Sequence, residues 1–170
     1  HAIFIAAADS EPWFQVGTKV FRDLNDAARE ADQGTSKTIV PLRSGVLKAG
    51  EYNIPSGVTL LIPFDSAYSL YTDKPEVVTS TLVTPSLYRK LTLASGAVIK
   101  VDGAISVSAK HKAGAGSQKM SVCGKYGQID MQEGSRIVLS NGSKLYAWGY
   151  ITGAGEVDAL AGADVYEYFQ

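Results

Sequence analysis

Three aromatic residues alternate near the end of the chain: Tyr146, Trp148 and Tyr150. Alternate residues of an extended strand share a face, so these rings would stand in a row. Rings of this kind combine a large apolar face with a polar tip, and the C–H faces of sugars pack on them. The same rings would serve equally to stack in a core or against a neighbouring module. Tyr166, Tyr168 and Phe169 follow about one repeat later. A second candidate is the basic run Lys110-His111-Lys112, joined by Lys119 and Lys125. Its charge suits an acidic glycan or a teichoic-type polymer; the plainer reading is a solvated Gly-Lys loop.

Acid–base and nucleophilic chemistry find less support. His111 is the only internal histidine and has no Ser or Cys partner on a fixed element. No Gly-x-Ser-x-Gly elbow occurs, and Gly114-Ala115-Gly116 lacks the strand, helix and lysine of a phosphate loop. Asp102, Asp130 and Asp158 are separated by equal gaps of 28 residues. Equal gaps suggest equivalent corners, where carboxylates would form a calcium ladder; solvated corner aspartates are the competing reading. The single cysteine, Cys123, excludes a disulfide within the chain and a Cys-based zinc site. The sequence therefore assigns no catalytic residue, no metal ligand and no cofactor. Lys110, His111, Lys112, Tyr146, Trp148 and Tyr150 are the candidate ligand-binding residues.

What positions them is a repeat. Glycines fall at 127, 134, 142, 149, 155 and 162, with gaps of 7, 8, 7, 6 and 7. Between them lie β-prone runs at 128–131, 136–139, 144–147, 150–152, 156–159 and 164–168. Ile137 and Leu139 share a phase with Leu145 and Ala147, and with Val157 and Ala159; Ile129 with Met131 and Val165 with Glu167 fit it less completely. Period-two alternation predicts strands with one buried face. Two earlier stretches repeat the pattern, Ser95-Gly96-Ala97-Val98-Ile99 and Ser56-Gly57-Val58-Thr59-Leu60. The element is a small or polar residue, Gly, then Ala, Ser or Val, then alternating apolar residues. About seven residues leave no room for crossover helices, so each run predicts one wall of a coil, three runs making a turn of roughly 20–25 residues. An ordinary β-sandwich is the alternative.

At 170 residues the chain fits one domain, and 45% hydrophobic content is enough for a core. Charged residues make up 19% and glycines number 17, a mix that suits tight corners. The formal net charge of −1 gives no general pull toward nucleic acid or anionic membrane. No apolar run reaches the length of a membrane-spanning helix. The chain opens on His1, so any signal peptide is expected to lie outside it or to have been removed.

Along the chain, 2–7 and 13–20 read as β-like pieces, with Gly17 as a bend. Residues 21–31 form the one strong helical pattern, with Phe21, Leu24, Ala28 and Ala31 on one stripe and Ala27 widening it. Asp23, Asn25 and Asp26 suit the positive end of that helix, and Gln33-Gly34 ends it. A strand is expected at 38–42. Residues 64–90 and 108–127 interrupt the repeat and predict excursions, the second exposed and mobile. The expected organisation is one domain over 1–170: a cap region over 1–45, then coils over 46–170.

One amphipathic helix, a short strand, Gly50-Glu51-Tyr52-Asn53-Ile54 and then Gly57-Val58-Thr59-Leu60 together resemble the opening of pectin-lyase-like, right-handed parallel β-helix proteins. The resemblance covers the chain at the level of architecture and implies an all-β solenoid whose N-terminal helix (23–31) caps the first coil. Residues 52–88 and 127–170 also resemble repeat segments of large secreted or cell-surface proteins of Gram-positive bacteria. That likeness implies an extracellular location and a non-catalytic module: a spacer, an adhesion element or a glycan-contacting element. Partners would be a polysaccharide or cell-surface ligand, and an adjacent module or second copy at the C-terminal edge. The superfamily also implies the alternative of a carbohydrate-active enzyme, or a fragment of one. Its polygalacturonase, methylesterase and pectate lyase motifs are absent here, and Ile54 stands where the esterase motif carries an acid.

Overall fold

The structure is a computed structural model, and it describes residues 11–63, 89–107 and 127–167. The expected strand at 2–7, Cys123, and nearly all of the two excursions lie outside the described residues. The described residues begin with a hairpin, β1 (Phe14–Val16) and β2 (Lys19–Phe21), followed by α1 (Leu24–Gln33). Thirteen strands follow: β3 (Thr38–Pro41), β4 (Gly45–Leu47), β5 (Gly50–Ile54), β6 (Thr59–Ile62), β7 (Lys90–Leu93), β8 (Ala97–Val101), β9 (Ala104–Val107), β10 (Gln128–Met131), β11 (Arg136–Leu139), β12 (Lys144–Ala147), β13 (Tyr150–Gly153), β14 (Glu156–Ala159) and β15 (Asp164–Glu167). Among the described residues the fold is mostly β, with parallel sheets and one short helix. All six runs read from the glycine spacing are strands. The strand at Lys90 starts slightly before the expected end of the first excursion.

Three sheets take up these strands. Their orders are β15-β12-β9-β6-β3-β1-β2, β13-β10-β7-β4 and β14-β11-β8-β5. From β3 onward the chain visits the three sheets in fixed rotation, and from β6 onward each strand pairs in parallel with the one three before it. Only the pairings of β1 are antiparallel. Register partners Lys144 and Asp164 are 20 residues apart, and Asp130 and Thr152 are 22 apart. The three equally spaced aspartates are therefore not equivalent: the register partner of Asp130 is Thr152, and Val101, next to Asp102, is in register with Leu139. Asp130 lies within β10, Asp158 within β14, and Asp102 just past β8.

The corners explain the recurring Gly-small motif. Pro55-Ser56-Gly57-Val58 is a four-residue turn closed by the Val58 N–H donating to the Pro55 carbonyl at 3.0 Å. Gly57 occupies its third place at φ 85°, a region other residues enter only with strain. Turns 94–97, 132–135, 140–143 and 160–163 repeat the same bond. The residue after each glycine then starts the next strand's inward face. Where it is serine, its hydroxyl also bonds within the turn: Ser135 and Ser143 are buried and donate to Gln132 and Ser140 carbonyls at 2.7 Å.

Inward residues stack in columns. Ile39, Leu60, Ile105 and Leu145 form one, and Tyr52, Ile99 and Ile137 another, all buried. Burying each aliphatic side chain contributes about 1.5–3 kcal/mol. The next members are Val165 and Val157, and these are 42% and 39% exposed. They carry the expected phase but sit on β15 and β14, the last strands of their sheets, so one flank has no neighbour among the described strands. Glu167 falls in line with Ala147 and is also exposed.

The helix differs from expectation at its start. Phe21 ends β2, held opposite Phe14, and Asp23 caps α1 by accepting from the Asn25 N–H at 3.0 Å. Leu24, Ala27, Ala28 and Ala31 form the buried stripe. Gly34 closes the helix by donating to the Glu30 carbonyl at 2.8 Å. Across from it, the Tyr52 hydroxyl donates to the Lys48 carbonyl at 2.7 Å, and burial, then nearby Asp23, holds its pKa above the ordinary value.

Candidate functional site

On β12 the alternation sends Leu145 inward, which turns Lys144 and Tyr146 outward. Parallel register with β15 then sets Asp164 beside Lys144 and Tyr166 beside Tyr146. The two tyrosine rings stack, with centroids 5.0 Å apart and planes 10° from parallel. Trp148 lies past the strand end with its ring 6.1 Å from that of Tyr146. Trp148 is 36% and Tyr166 40% exposed. Lys144 Nζ donates to Asp164 at 3.3 Å. That bond, then the neighbouring Tyr166, raises the lysine pKa above its ordinary value.

The expected row of Tyr146, Trp148 and Tyr150 is broken at Gly149. Tyr150 begins β13 in a different sheet, in register with Gln128. Tyr166 takes the place beside Tyr146. The signal for it was the 20-residue offset, which equals one rotation of the strands. Lys110, His111 and Lys112 lie outside the described residues.

Beside Tyr146 the face of the seven-stranded sheet is dished. Thr59 on β6, Gly103 and Ala104 at β9, and Lys144 and Tyr146 on β12 line a groove of about 300 Å³, with Asp102 at one end. The Asp102 carboxylate accepts from the Ser140 hydroxyl at 2.7 Å. Gly103 is essential to this shape. A Cβ there would come within 2.1 Å of the Val58 carbonyl oxygen and 2.3 Å of that of Pro55. A second cleft, about 400 Å³, lies between α1 and the β4–β5 corner and includes Asp23, Lys48 and Tyr52.

The other outer faces carry solvent-exposed polar ladders. Arg136 pairs with Asp158, and with Glu156 at 3.9 Å; the Asp158 hydrogen bond is the main cause of its raised pKa. Lys100 lies 3.7 Å from Glu51. Gln128 donates to the Thr152 hydroxyl at 2.9 Å, which donates to Asp130 at 3.1 Å. Exposed pairs of this kind contribute little to stability. Among the described residues no group of three or more His, Cys, Asp and Glu is placed to hold a metal ion, and no helix is long and apolar enough to cross a membrane. No protein-family model, curated protein or solved structure matches the chain.

Proposed function

We propose that the chain is a right-handed parallel β-helix of the pectin-lyase-like kind, capped by α1, and serves as a non-catalytic module of an extracellular or cell-surface bacterial protein. The fixed rotation among three parallel sheets supports the architecture. Its surface role is contact with a glycan. One observation carries that reading: the Tyr146–Tyr166 stack with Trp148 beside it, an exposed aromatic face held by two paired strands. Rings fixed by neighbouring strands lose little freedom on binding, which favours affinity. The test is a glycan array probed with the full chain and with Tyr166→Ala, alongside assays for reducing ends and unsaturated products. Binding that falls at least ten-fold in the variant supports the reading. Undiminished binding overturns it, and release of cleaved products moves the protein to the carbohydrate-active enzymes.

A second role, attachment of a neighbouring module or a second copy, is favoured by a separate observation. Val157, Leu160 and Val165 are 39%, 51% and 42% exposed on and between the last strands, where an added strand would cover them.

A further inference from the structure

The geometry points to the groove beneath Tyr146 as a subsite for one neutral pyranose ring. The inference deepens the glycan reading and rests on it. One face of the Tyr146 ring is covered by Tyr166. The opposite side of Tyr146 is toward β9, whose register partners opposite Lys144 and Tyr146 are Ala104 and Ser106. Small residues on the middle strand leave a depression between β6 and β12. Its volume of about 300 Å³ matches the lower end of small-ligand clefts. Gly103 lines it and packs so closely on the Pro55–Val58 turn that a Cβ there would overlap two backbone carbonyl oxygens.

The lining sorts into two chemistries. The Tyr146 ring and the Ala104 methyl offer an apolar slot for the C–H face of a sugar. Thr59 and Asp102 offer polar groups to hydroxyls at its edge. The charges decide the class of sugar. Lys144 is engaged with Asp164, and no described cation pairs with Asp102. A carboxylate on the sugar would meet the like charge of the Asp102 carboxylate, so the groove selects against uronic acids. A hydroxyl, by contrast, donates well to that carboxylate.

The experiment is an NMR titration of the full chain with cellohexaose, mannohexaose and chitohexaose, and with trigalacturonate as the acidic comparison. A neutral oligosaccharide is expected to shift the Gly103 and Ala104 amide signals. Ala104→Gln, which fills the depression from an outward position, should weaken binding at least ten-fold, while Ala104→Ser should stay within about two-fold. Asp102→Asn should narrow the preference for neutral over acidic sugar. Shifts confined to Trp148 and Tyr166, indifferent to Ala104→Gln, overturn the subsite and leave the aromatic face standing. Preference for trigalacturonate overturns the neutral assignment. Absence of any shift with all four sugars overturns subsite and glycan reading together.

Discussion

The side chain of Asn25 pairs with the main chain around Asn53 as a neighbouring strand would. Its amide NH2 donates to the Glu51 carbonyl at 2.8 Å, and its oxygen accepts from the Asn53 N–H at 3.1 Å. β5 is the terminal strand of its sheet, so these are the groups an added strand would seek. Asn25→Leu removes both bonds. It should cost about 1–3 kcal/mol and raise self-association. A thermal melt with light scattering checks this, and an unchanged variant in both measurements would sink the edge-blocking role.

Leu24 is fully buried beneath α1. Leu24→Ala should destabilise by about 2–5 kcal/mol. Leu24→Asp should cost more, because it buries a charge without a partner. Denaturant midpoints for the two variants test the packing of the helix on the first strands; midpoints equal to that of the parent would mean α1 contributes nothing there.

Two glycines separate two mechanisms. Gly57 has φ 85° but open space around a prospective Cβ. Gly57→Ala should therefore cost only the conformational penalty, about 1–2 kcal/mol. Gly103 has no such φ, yet its Cβ would overlap two carbonyl oxygens. Gly103→Ala should cost at least about 1–3 kcal/mol through forced backbone movement and perturb the Ala104 amide signal. Equal stability of the Gly103 variant and the parent would contradict the close approach.

Position within a column should matter more than residue type. Ile137 and Val157 are register partners, as are Leu145 and Val165. Ile137→Lys should unfold the chain, since Ile137 is completely buried. Val157→Lys and Val165→Lys should leave the melting temperature nearly unchanged and reduce association at high concentration. Sedimentation velocity measures the second effect. Parent-like association in both lysine variants would remove the last strands from any docking role.

Much of this arrangement was legible because corners and strands leave different marks. A turn that needs positive φ in its third place writes glycine there, so Gly57, Gly96 and Gly134 announced the strand starts. Alternation announced which residues point inward, but phase alone does not say whether a strand has neighbours on both sides. Val157 and Val165 therefore carry a core pattern while remaining exposed. Phe21 fits a helix stripe and a strand equally well; pairing with Phe14 decided it. The Tyr146–Tyr166 stack required the register, and the equal aspartate spacing misled because the rotations differ in length and none the register gives is 28 residues. Asn25 gave no signal beyond its place near a helix start, since its partners lie 26 and 28 residues away.

The rotation of strands also sets a direction for melting. Each strand beyond β3 is held in its sheet only by the strands three before and three after, so stability accumulates from neighbour to neighbour. At one end α1 and Asn25 clamp the ladder. At the other, β13, β14 and β15 each have a single partner among the described strands, as β4 and β5 do at the first end. Local opening begins where the fewest contacts must break, so amide exchange should run as a gradient, fastest at Asp164 to Glu167 and slowest around Ile99 and Ile105.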